Sequence, residues 1–163
     1  MTVTFQETKP SHPGLFRIVH DGTPEQFRSK LVAERDFAKG SVIADLAGLT
    51  PGPKRYSSVQ VSPTEHVELN SDLLYMNHSC DPSALMDVDR RAVVAAKDIK
   101  AGDELTFFYP STEWDMAQPF SCWCGSSQCI KTVQGARHLP TETLNKFVLS
   151  KHIKDLIAER DQA

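Results

Sequence analysis

The chain has 163 residues, of which 40% are hydrophobic and 24% are charged, and its formal net charge is −3. This length suits one domain with a buried core, and the balance of apolar and charged residues argues against general disorder. A general nucleic-acid binder normally carries a basic surplus, so we expect no direct nucleic-acid binding.

Neither a membrane span nor a secretory leader is indicated. The longest apolar run, Ala92–Ala96, is far shorter than the about 18–20 residues that a membrane-spanning helix needs. The N-terminal sequence MTVTFQETKPSHPG has no basic n-region and no apolar h-region, unlike a signal peptide. We therefore expect a soluble protein without a membrane partner, located inside the cell in the cytoplasm or nucleus.

Short strands dominate the first part of the chain. Alternating patches near Val3–Phe5 and Leu15–Val19 predict edge strands, and the apolar runs Leu31–Ala33 and Val42–Leu46 predict two further strands. These elements favour a β-rich domain.

Two segments of similar sequence predict two similar corners. Asp36–Gly40 reads aspartate, apolar residue, two further residues and glycine, which is typical of a turn closed by glycine. The same pattern returns at Asp98–Gly102, after a strand predicted at Val93–Ala96 and before another at Leu105–Phe107. We expect two hairpin-like corners.

The remaining elements are shorter, except at the C-terminus. The patterns predict a strand at Tyr56–Val61, a partner for it at His66–Leu69, a helical turn at Asp72–Met76, a strand at Leu85–Val88 and a loop at 110–121. A helix is predicted to start near Thr141, after Pro140. Its apolar face would contain Leu144, Phe147, Val148, Ile153, Leu156 and Ile157.

Four cysteines stand out, because Cys122, Cys124 and Cys129 share one short segment and Cys80 lies upstream. Four thiols admit two disulfides or one tetrahedral zinc site, and an intracellular location favours the metal. Gly125 would let the backbone turn around a metal. Such a metal would connect the C-terminal segment to the core.

Two further segments concentrate polar and aromatic groups. Tyr75–Ser83 lies between predicted strands, and Gly102–Pro110 contains the strand that ends at Tyr109. Taken alone, a single histidine such as His78 is more typical of a hydrogen-bonded core residue than of a ligand. Tyr109 alone would be one more aromatic at a strand edge.

Together these three segments resemble the SET-domain lysine methyltransferases that carry a post-SET zinc segment. The family motifs Asn-His-Ser-Cys-x-Pro, Gly-[Glu/Asp]-Glu-Leu-Thr-Phe-x-Tyr and Cys-x-Cys-x4-Cys occur here in the same order. Leu31–Gly40 also resembles the opening strand and turn of the family. The resemblance covers roughly residues 28–131.

The resemblance implies a mainly β, SET-domain (β-clip-like) fold of small sheets with a knot-like crossing, a zinc-stapled post-SET loop and a C-terminal helix. The Asn-His-Ser-Cys segment would thread under the loop of the tyrosine-bearing strand, an exception to the usual rule against threading. The implied division is an N-terminal extension (1–27), a SET domain (28–110), a post-SET zinc segment (111–131) and a C-terminal helical tail (132–163).

The resemblance also implies a two-sided site, with S-adenosylmethionine on one side of the crossing and a lysine channel on the other. The residues expected to contact the cofactor are Ala33, Tyr75, Asn77, His78, Tyr109, Phe120 and Trp123. Within this set, Ala33 would act through its backbone, and Phe120 or Trp123 would cover the adenine. Tyr109 would be the catalytic tyrosine, and Tyr75 and Tyr56 would wall the channel.

The resemblance further implies one structural zinc, bound by Cys80, Cys122, Cys124 and Cys129. The reaction itself suits these residue types, because methyl transfer from a sulfonium to a neutral amine depends mainly on positioning. An apolar channel and a nearby cation lower the pKa of the amine and favour its free base. A tyrosine hydroxyl orients the amine without a fixed charge, and aromatic walls tolerate a methylated ammonium.

Three positions depart from the family pattern. Arg28-Ser29-Lys30 stands where the family usually has Gly-x-Gly, Phe108 stands where Asp is common, and Ser83 stands where Asn is common. Side chains in place of the glycines could crowd the methionine end of the cofactor, or point away and leave the backbone in place.

The leading hypothesis is an S-adenosylmethionine-dependent N-methyltransferase acting on a lysine-bearing protein or a small-molecule amine. The segment from about Thr50 to Asn70, where the family builds much of its peptide groove, is brief here, so a histone substrate is not specifically supported. One alternative is a catalytically inactive SET-fold binding or regulatory protein that retains zinc, which the missing glycines favour. Another is a zinc-stapled module that binds a partner through its terminal helix.

Overall fold

The structure is a computed structural model, and it describes residues 9–21 and 28–162. Within these ranges the chain forms twelve short strands, three 3-10 turns and two α-helices. The strands are β1 (Phe16–Asp21), β2 (Arg28–Ala33), β3 (Val42–Asp45), β4 (Thr50–Gly52), β5 (Ser58–Gln60), β6 (His66–Glu68), β7 (Asn77–His78), β8 (Ala84–Asp87), β9 (Ala92–Ala95), β10 (Glu104–Phe107), β11 (Phe120–Ser121) and β12 (Thr132–Val133). The 3-10 turns are Asp72–Tyr75, Tyr109–Ser111 and Ala136–His138, and the helices are α1 (Thr141–Leu144) and α2 (Lys151–Gln162).

These strands form four small sheets. The first has the order β1-β2-β10-β7, the second β3-β9-β8 and the third β4-β6-β5, and β11 pairs with β12. In the first sheet, β10 is antiparallel to β2 and parallel to β7. The strand that leads into Tyr109 therefore lies between the opening strand of the family pattern and the Asn-His pair.

Most of the predicted strands are confirmed. The patch at Leu15–Val19 becomes β1 at the edge of the first sheet, and the predicted partners near Tyr56–Val61 and His66–Leu69 pair as β5 and β6. The helical turn predicted at Asp72–Met76 is the first 3-10 turn. The strand predicted near Val3–Phe5 lies outside the described residues.

The hydrophobic residues divide into two clusters. The larger cluster lies between the small sheets, and its fully buried members include Phe16, Leu31, Met76, Ile99 and Leu105. Burial of each such side chain contributes roughly 1.5–3 kcal/mol. The smaller cluster combines segments that are distant in sequence, through Cys80, Phe108, Cys122, Val133, Leu144 and Ile153. The C-terminal tail therefore packs directly behind the segment that carries Tyr109.

The prediction of one continuous C-terminal helix is wrong. The chain leaves helical geometry between α1 and α2, where Phe147 stacks on Phe108 and the Ser150 N–H donates to the Ser111 carbonyl at 3.0 Å. These contacts outweigh the helical periodicity, and Val148, expected on the buried face, is 65% exposed. The longer helix, α2, remains, and the described residues form no helix long and apolar enough to cross a bilayer.

Candidate functional site

The four cysteine thiols meet in one cluster. Their Sγ atoms all lie within 4.8 Å of one another, and the Sγ atoms of Cys80 and Cys122 are 4.0 Å apart. These separations are about twice a disulfide bond length, and all four cysteines are free. Tetrahedral zinc, with Zn–S bonds of about 2.3 Å, places its sulfurs a little under about 4 Å apart. The arrangement fits a metal rather than two disulfides.

Two N–H-bearing groups surround the most buried of these sulfurs. The Ile130 N–H donates to Cys80 Sγ at 3.4 Å, and His78 Nε2 lies 3.3 Å from the same sulfur. Burial raises the pKa of the Cys80 thiol, so a thiolate there needs positive charge and hydrogen-bond donors beside it. The donor set therefore suits zinc bound to four thiolates. The Gln128 side chain also fixes the backbone at Cys80, because it donates to the Cys80 carbonyl at 2.9 Å.

A hydrogen bond connects His78 to Tyr109. The parallel pairing of β7 with β10 brings the two residues together, and the Tyr109 N–H donates to His78 Nδ1 at 3.1 Å. Burial lowers the pKa of His78 to about 4, so the ring is neutral and its proton lies on Nε2, facing Cys80. One chain of contacts thus runs from Tyr109 through His78 to the cysteine cluster.

The hydroxyl group of Tyr109 is also fixed. It donates to the Met76 carbonyl at 2.6 Å, and the ring packs beside Phe107 with centroids 4.7 Å apart. Burial raises the pKa of Tyr109 further above its ordinary value, which keeps the hydroxyl protonated. Because its proton is committed to Met76, the oxygen of Tyr109 can accept hydrogen bonds from a ligand.

The hydrogen-bonded residues His78 and Tyr109 line two different pockets. We call the first the cysteine-side pocket; it has a volume of about 570 Å³ and is lined by residues that include His78, Thr106, Phe120, Cys122 and Trp123. We call the second the tyrosine-side pocket; it has a volume of about 260 Å³ and is lined by residues that include Tyr56, Met76, Phe107, Tyr109, Glu113 and Phe120. Among the residues that the structure describes, Phe120 is the one that lines both pockets.

The two aromatic residues before and within the cysteine segment differ in their contacts. Phe120 lies edge-on to both His78 and Tyr109, with centroid distances of 5.9 Å in each case. Trp123 is 91% exposed, although it lines the cysteine-side pocket. A large apolar ring in water beside a pocket is available to cover a ligand.

Three of the expected cofactor residues line neither pocket. The Asn77 side chain donates to the Ser29 carbonyl at 2.9 Å. The Ala33 N–H is already donated to the Asp103 carbonyl at 2.9 Å, and Tyr75 lies edge-on to His20 with ring centroids 6.4 Å apart. The Asn77 side chain therefore stabilises β2. Ala33 and Tyr75 line neither the cysteine-side pocket nor the tyrosine-side pocket.

The segment that replaces the family's glycines is an ordinary strand. Ser29 and Lys30 pair with His20 and Val19 of β1, and the Ser29 side chain forms a 2.8 Å hydrogen bond with His20 Nδ1. Burial raises the pKa of Glu104, and the nearby charge of Lys30 opposes that rise. Since Glu104 lines the cysteine-side pocket, Lys30 adds positive charge near that pocket.

The departure at Phe108 has a structural explanation. Its ring stacks on Phe147 of the tail, with centroids 3.6 Å apart and planes 6° from parallel. An aspartate at this position would be buried against an aromatic ring without its charge being paired, which is costly. Phe108 therefore couples the residue before Tyr109 to the C-terminal tail.

Sequence reasoning missed Glu113. It lines the tyrosine-side pocket, and its Oε2 accepts hydrogen bonds from the Gln60 N–H at 3.0 Å and the Thr112 hydroxyl at 2.6 Å. Burial raises the pKa of Glu113 to about 7, although these two donors and the nearby charge of Lys54 oppose the rise. Its position in a predicted loop gave no sign of burial, because the contacts with Gln60 arise only in the folded chain.

Comparisons with known proteins give a consistent result. The family model described as SET domain matches residues 28–110. Over 154 residues the chain is 42% identical to Methyltransferase flvH of Aspergillus flavus, a match that covers 92% of this chain and 85% of that protein. Over 134 residues the chain is 26% identical to a protein of Chaetomium globosum described as Histone-lysine N-methyltransferase, H3 lysine-36 specific. This match covers 77% of this chain but only 14% of that protein.

A solved structure shares the fold. The crystal structure of KRYPTONITE in complex with mCHG DNA and SAH superposes with a TM-score of 0.52 at 18% sequence identity. The match covers 72% of this chain and 29% of the KRYPTONITE chain. At this identity the likeness concerns the arrangement of the small sheets, and not the ligands.

Proposed function

The chain belongs to the SET-domain family, and on that premise we propose that it is an S-adenosylmethionine-dependent N-methyltransferase for a lysine side chain or a similar primary amine. The observation that carries this proposal is the hydrogen bond from the Tyr109 N–H to His78 Nδ1. It joins residues of the two pockets beside Phe120, which lines both. This arrangement suits a reaction whose two reactants bind separately and meet between the pockets.

We assign the cofactor to the cysteine-side pocket. S-adenosylmethionine supplies an electrophilic methyl group when it is bound. His78 would contact it as a neutral ring, and Phe120 and Trp123 would stack on its flat, apolar surface. The exposure of Trp123 supports this role, since burial of the indole against a ligand would remove a large apolar surface from water.

We assign the amine to the tyrosine-side pocket. The oxygen of Tyr109, whose proton is donated to Met76, would accept a hydrogen bond from the amine and so orient the nitrogen. Leu73, Met76 and Phe107 provide apolar walls, which exclude water and lower the pKa of an amine by desolvation. Both effects favour a neutral, aligned nucleophile.

The cysteine cluster would bind one zinc ion with a structural role. Such an ion would connect Cys80, just after the Asn-His pair, with the segment from Cys122 to Cys129. That connection would hold Phe120 and Trp123 beside the cysteine-side pocket. Zinc bound by four thiolates keeps no open position for substrate, so the metal would support the site without entering the reaction.

The substrate is proposed as an amine on a protein or a small molecule. The Chaetomium relative is named for a histone lysine, and a histone substrate would place this protein in the nucleus. The Aspergillus flavus relative is named only as a methyltransferase. Because the chain spans 14% of the Chaetomium protein, both substrate classes belong in the test.

The test begins with calorimetric titration of the zinc-loaded chain with S-adenosylmethionine and S-adenosylhomocysteine. We expect both to bind, and we expect transfer of a tritiated methyl group to at least one acceptor among core histones, free lysine and small primary amines. Binding without transfer to any acceptor, or no binding by folded and zinc-loaded protein, would favour the inactive SET-fold alternative. The loss of the family's glycines was the argument for that alternative. Because β2 pairs regularly at Ser29 and Lys30, the replacement leaves the backbone in place, which supports an active enzyme.

A further inference from the structure

Glu113 places a carboxyl group in the tyrosine-side pocket, one turn after Tyr109. The Glu113 N–H donates to the Tyr109 carbonyl at 3.0 Å, and residues four apart on a helical turn lie on one face. Both side chains line the pocket. Among the described residues that line it, Glu113 is the one acidic residue.

Two hydrogen bonds to Oε2 hold the carboxyl group of Glu113 in position. Glu113 Oε2 accepts from the backbone of Gln60 and from the hydroxyl of Thr112, and the Gln60 side chain in turn accepts from the Trp114 N–H at 2.8 Å. Two donors to one oxygen favour the ionised form. The carboxylate is therefore oriented in the pocket wall and is not a mobile surface group.

The basic groups near Glu113 are engaged elsewhere. Lys54 Nζ lies 3.9 Å from Asp115, and Arg55 pairs with Glu68 at 2.9 Å. Burial lowers the pKa of His66 and of His152, so these two rings are neutral at neutral pH. In the part of the chain that the structure describes, no ion pair to Glu113 is formed. Lys54 and Arg55 also line the pocket, and the charge of Lys54 opposes the rise in the pKa of Glu113. A buried carboxylate without a directly paired cation is nevertheless unfavourable, so Glu113 favours a cationic ligand beside it.

We propose that Glu113 makes the tyrosine-side pocket a site for a protonated primary amine, pairing with the ammonium and then accepting the proton that the nitrogen must lose before methylation. This inference rests on the proposed function. In the proton step an N–H bond breaks and an O–H bond forms, so that ammonium and carboxylate become amine and carboxylic acid. The net charge of the pair is zero before and after the step, which a pocket of low polarity tolerates best.

This role addresses a difficulty in the reaction. A lysine-like amine has an ordinary pKa of about 10.4, so the form that is abundant in the cell is the ammonium, which has no lone pair. The pKa of Glu113, raised by burial to about 7, lets it be ionised when the ammonium arrives and still accept a proton inside the pocket. Tyr109 and Glu113 would then divide the work between orientation and deprotonation.

The test counts protons during amine binding. The full chain, loaded with zinc and saturated with S-adenosylhomocysteine, is titrated at about pH 8 with n-butylammonium, which matches a lysine side chain. Parallel titrations in phosphate and in Tris, whose ionisation enthalpies differ, give the number of protons released per amine bound. We expect wild-type protein to release close to none, because the amine proton stays in the pocket.

The variant Glu113→Gln keeps an oxygen that can accept from Gln60 and Thr112. We expect it to bind n-butylammonium at least about tenfold more weakly, which corresponds to about 1.4 kcal/mol, and to release about one proton per amine bound, because only the neutral amine fits. Binding of 1-butanol, a neutral molecule of similar shape, should not change. The matched control is Glu65→Gln, which removes an exposed carboxylate outside the pocket and should behave as wild type.

The proposal is overturned if wild-type protein releases about one proton per amine bound, since a neutral amine would then be the ligand. It is also overturned if Glu113→Gln binds n-butylammonium as wild type does, or loses 1-butanol equally, which would indicate a purely structural role. If that variant does not fold, the wild-type proton count decides alone. Failure of S-adenosylhomocysteine to bind would count against the proposed function, and the amine titration repeated without it would still test Glu113.

Discussion

The backbone N–H groups of Phe37 and Ile99 each donate to the other's carbonyl oxygen, at 2.9 Å and 2.8 Å. The two residues occupy equivalent places in the two corners of similar sequence. The first corner leads from β2 to β3 and the second from β9 to β10. The pair therefore ties together two of the connections between the first sheet and the second, the one from β2 to β3 and the one from β9 to β10.

Next to this pair, the aspartate of each corner accepts a hydrogen bond from the backbone of the other corner. Asp36 accepts from the Ala101 N–H and Asp98 accepts from the Lys39 N–H, each at 2.9 Å. Each corner thus completes the hydrogen bonding of the other. Because β10 leaves the second corner beside β2, this exchange fixes the strand that positions Tyr109.

Loss of a zinc ligand should loosen the whole cysteine segment. We expect Cys124→Ser to reduce bound zinc from about one ion per chain and to weaken S-adenosylhomocysteine binding at least about tenfold, because Phe120 and Trp123 depend on that segment. Metal analysis and calorimetry measure the two effects. Ser127→Ala, in the same loop and exposed, is the matched control and should change neither. A metal-free chain that folds and binds cofactor normally would contradict the zinc assignment.

Removal of one hydroxyl should separate catalysis from cofactor binding. We expect Tyr109→Phe to lower the rate of methyl transfer at least about 100-fold, because the amine loses its orienting acceptor, while S-adenosylhomocysteine affinity changes by less than about threefold. The variant also leaves the Met76 carbonyl without its donor, at a cost of about 1–3 kcal/mol in stability. Single-turnover transfer and calorimetry check these effects. An unchanged rate would remove Tyr109 from its proposed role.

The stacked rings of Phe108 and Phe147 should anchor the C-terminal tail. We expect Phe147→Ala to lower the free energy of unfolding by about 1–3 kcal/mol and to increase hydrogen exchange in α2. Val148→Ala is the matched control, since Val148 is 65% exposed and its truncation should cost less than about 0.5 kcal/mol. Urea unfolding and hydrogen exchange provide the comparison, and equal effects of the two variants would show that the stack does not hold the tail.

The buried carboxyl group predicts a pH-dependent difference in stability. The pKa of Glu113 rises from its ordinary 4.5 to about 7 on folding, so between these values the folded chain binds more protons than the unfolded chain. Its contribution to stability is therefore complete below about pH 4.5 and is lost as the pH rises to about 7. We expect Glu113→Gln to become more stable than wild type across this window, by an amount on the order of 3 kcal/mol at pH 8. Urea unfolding at several pH values tests this, and a constant difference would contradict it.

Much of the fold followed from local sequence patterns. The alternating runs predicted β5 and β6, and the repeated Asp-to-Gly pattern predicted two corners, because both signals depend on neighbouring residues. The expected hairpin-like form of the corners is wrong, since each corner connects strands of two different sheets. The SET-domain resemblance and the mainly β fold are confirmed by the family match at residues 28–110 and by the shared fold of solved structures. The residue roles within the site remain predictions.

Other features depend on contacts between distant segments and could not be predicted. The tail has the periodicity of one helix, yet Phe147 leaves that helix to stack on Phe108. Glu113 has no local motif, and its burial depends on contact with Gln60 of β5, which is distant in sequence. The contact between the two corners at Phe37 and Ile99 could likewise not be predicted from the sequence, although each corner was predicted separately.

The exposure of Trp123 gives the molecule an optical signal of its own. An indole that is 91% exposed emits at the long wavelengths typical of water, and a ligand that covered it would shift that emission to shorter wavelengths. The chain's second tryptophan, Trp114, is half-buried beneath the Arg160 guanidinium and should emit almost independently of the pocket. Fluorescence of the unlabelled chain can therefore report how full the cysteine-side pocket is, in real time and without any attached dye.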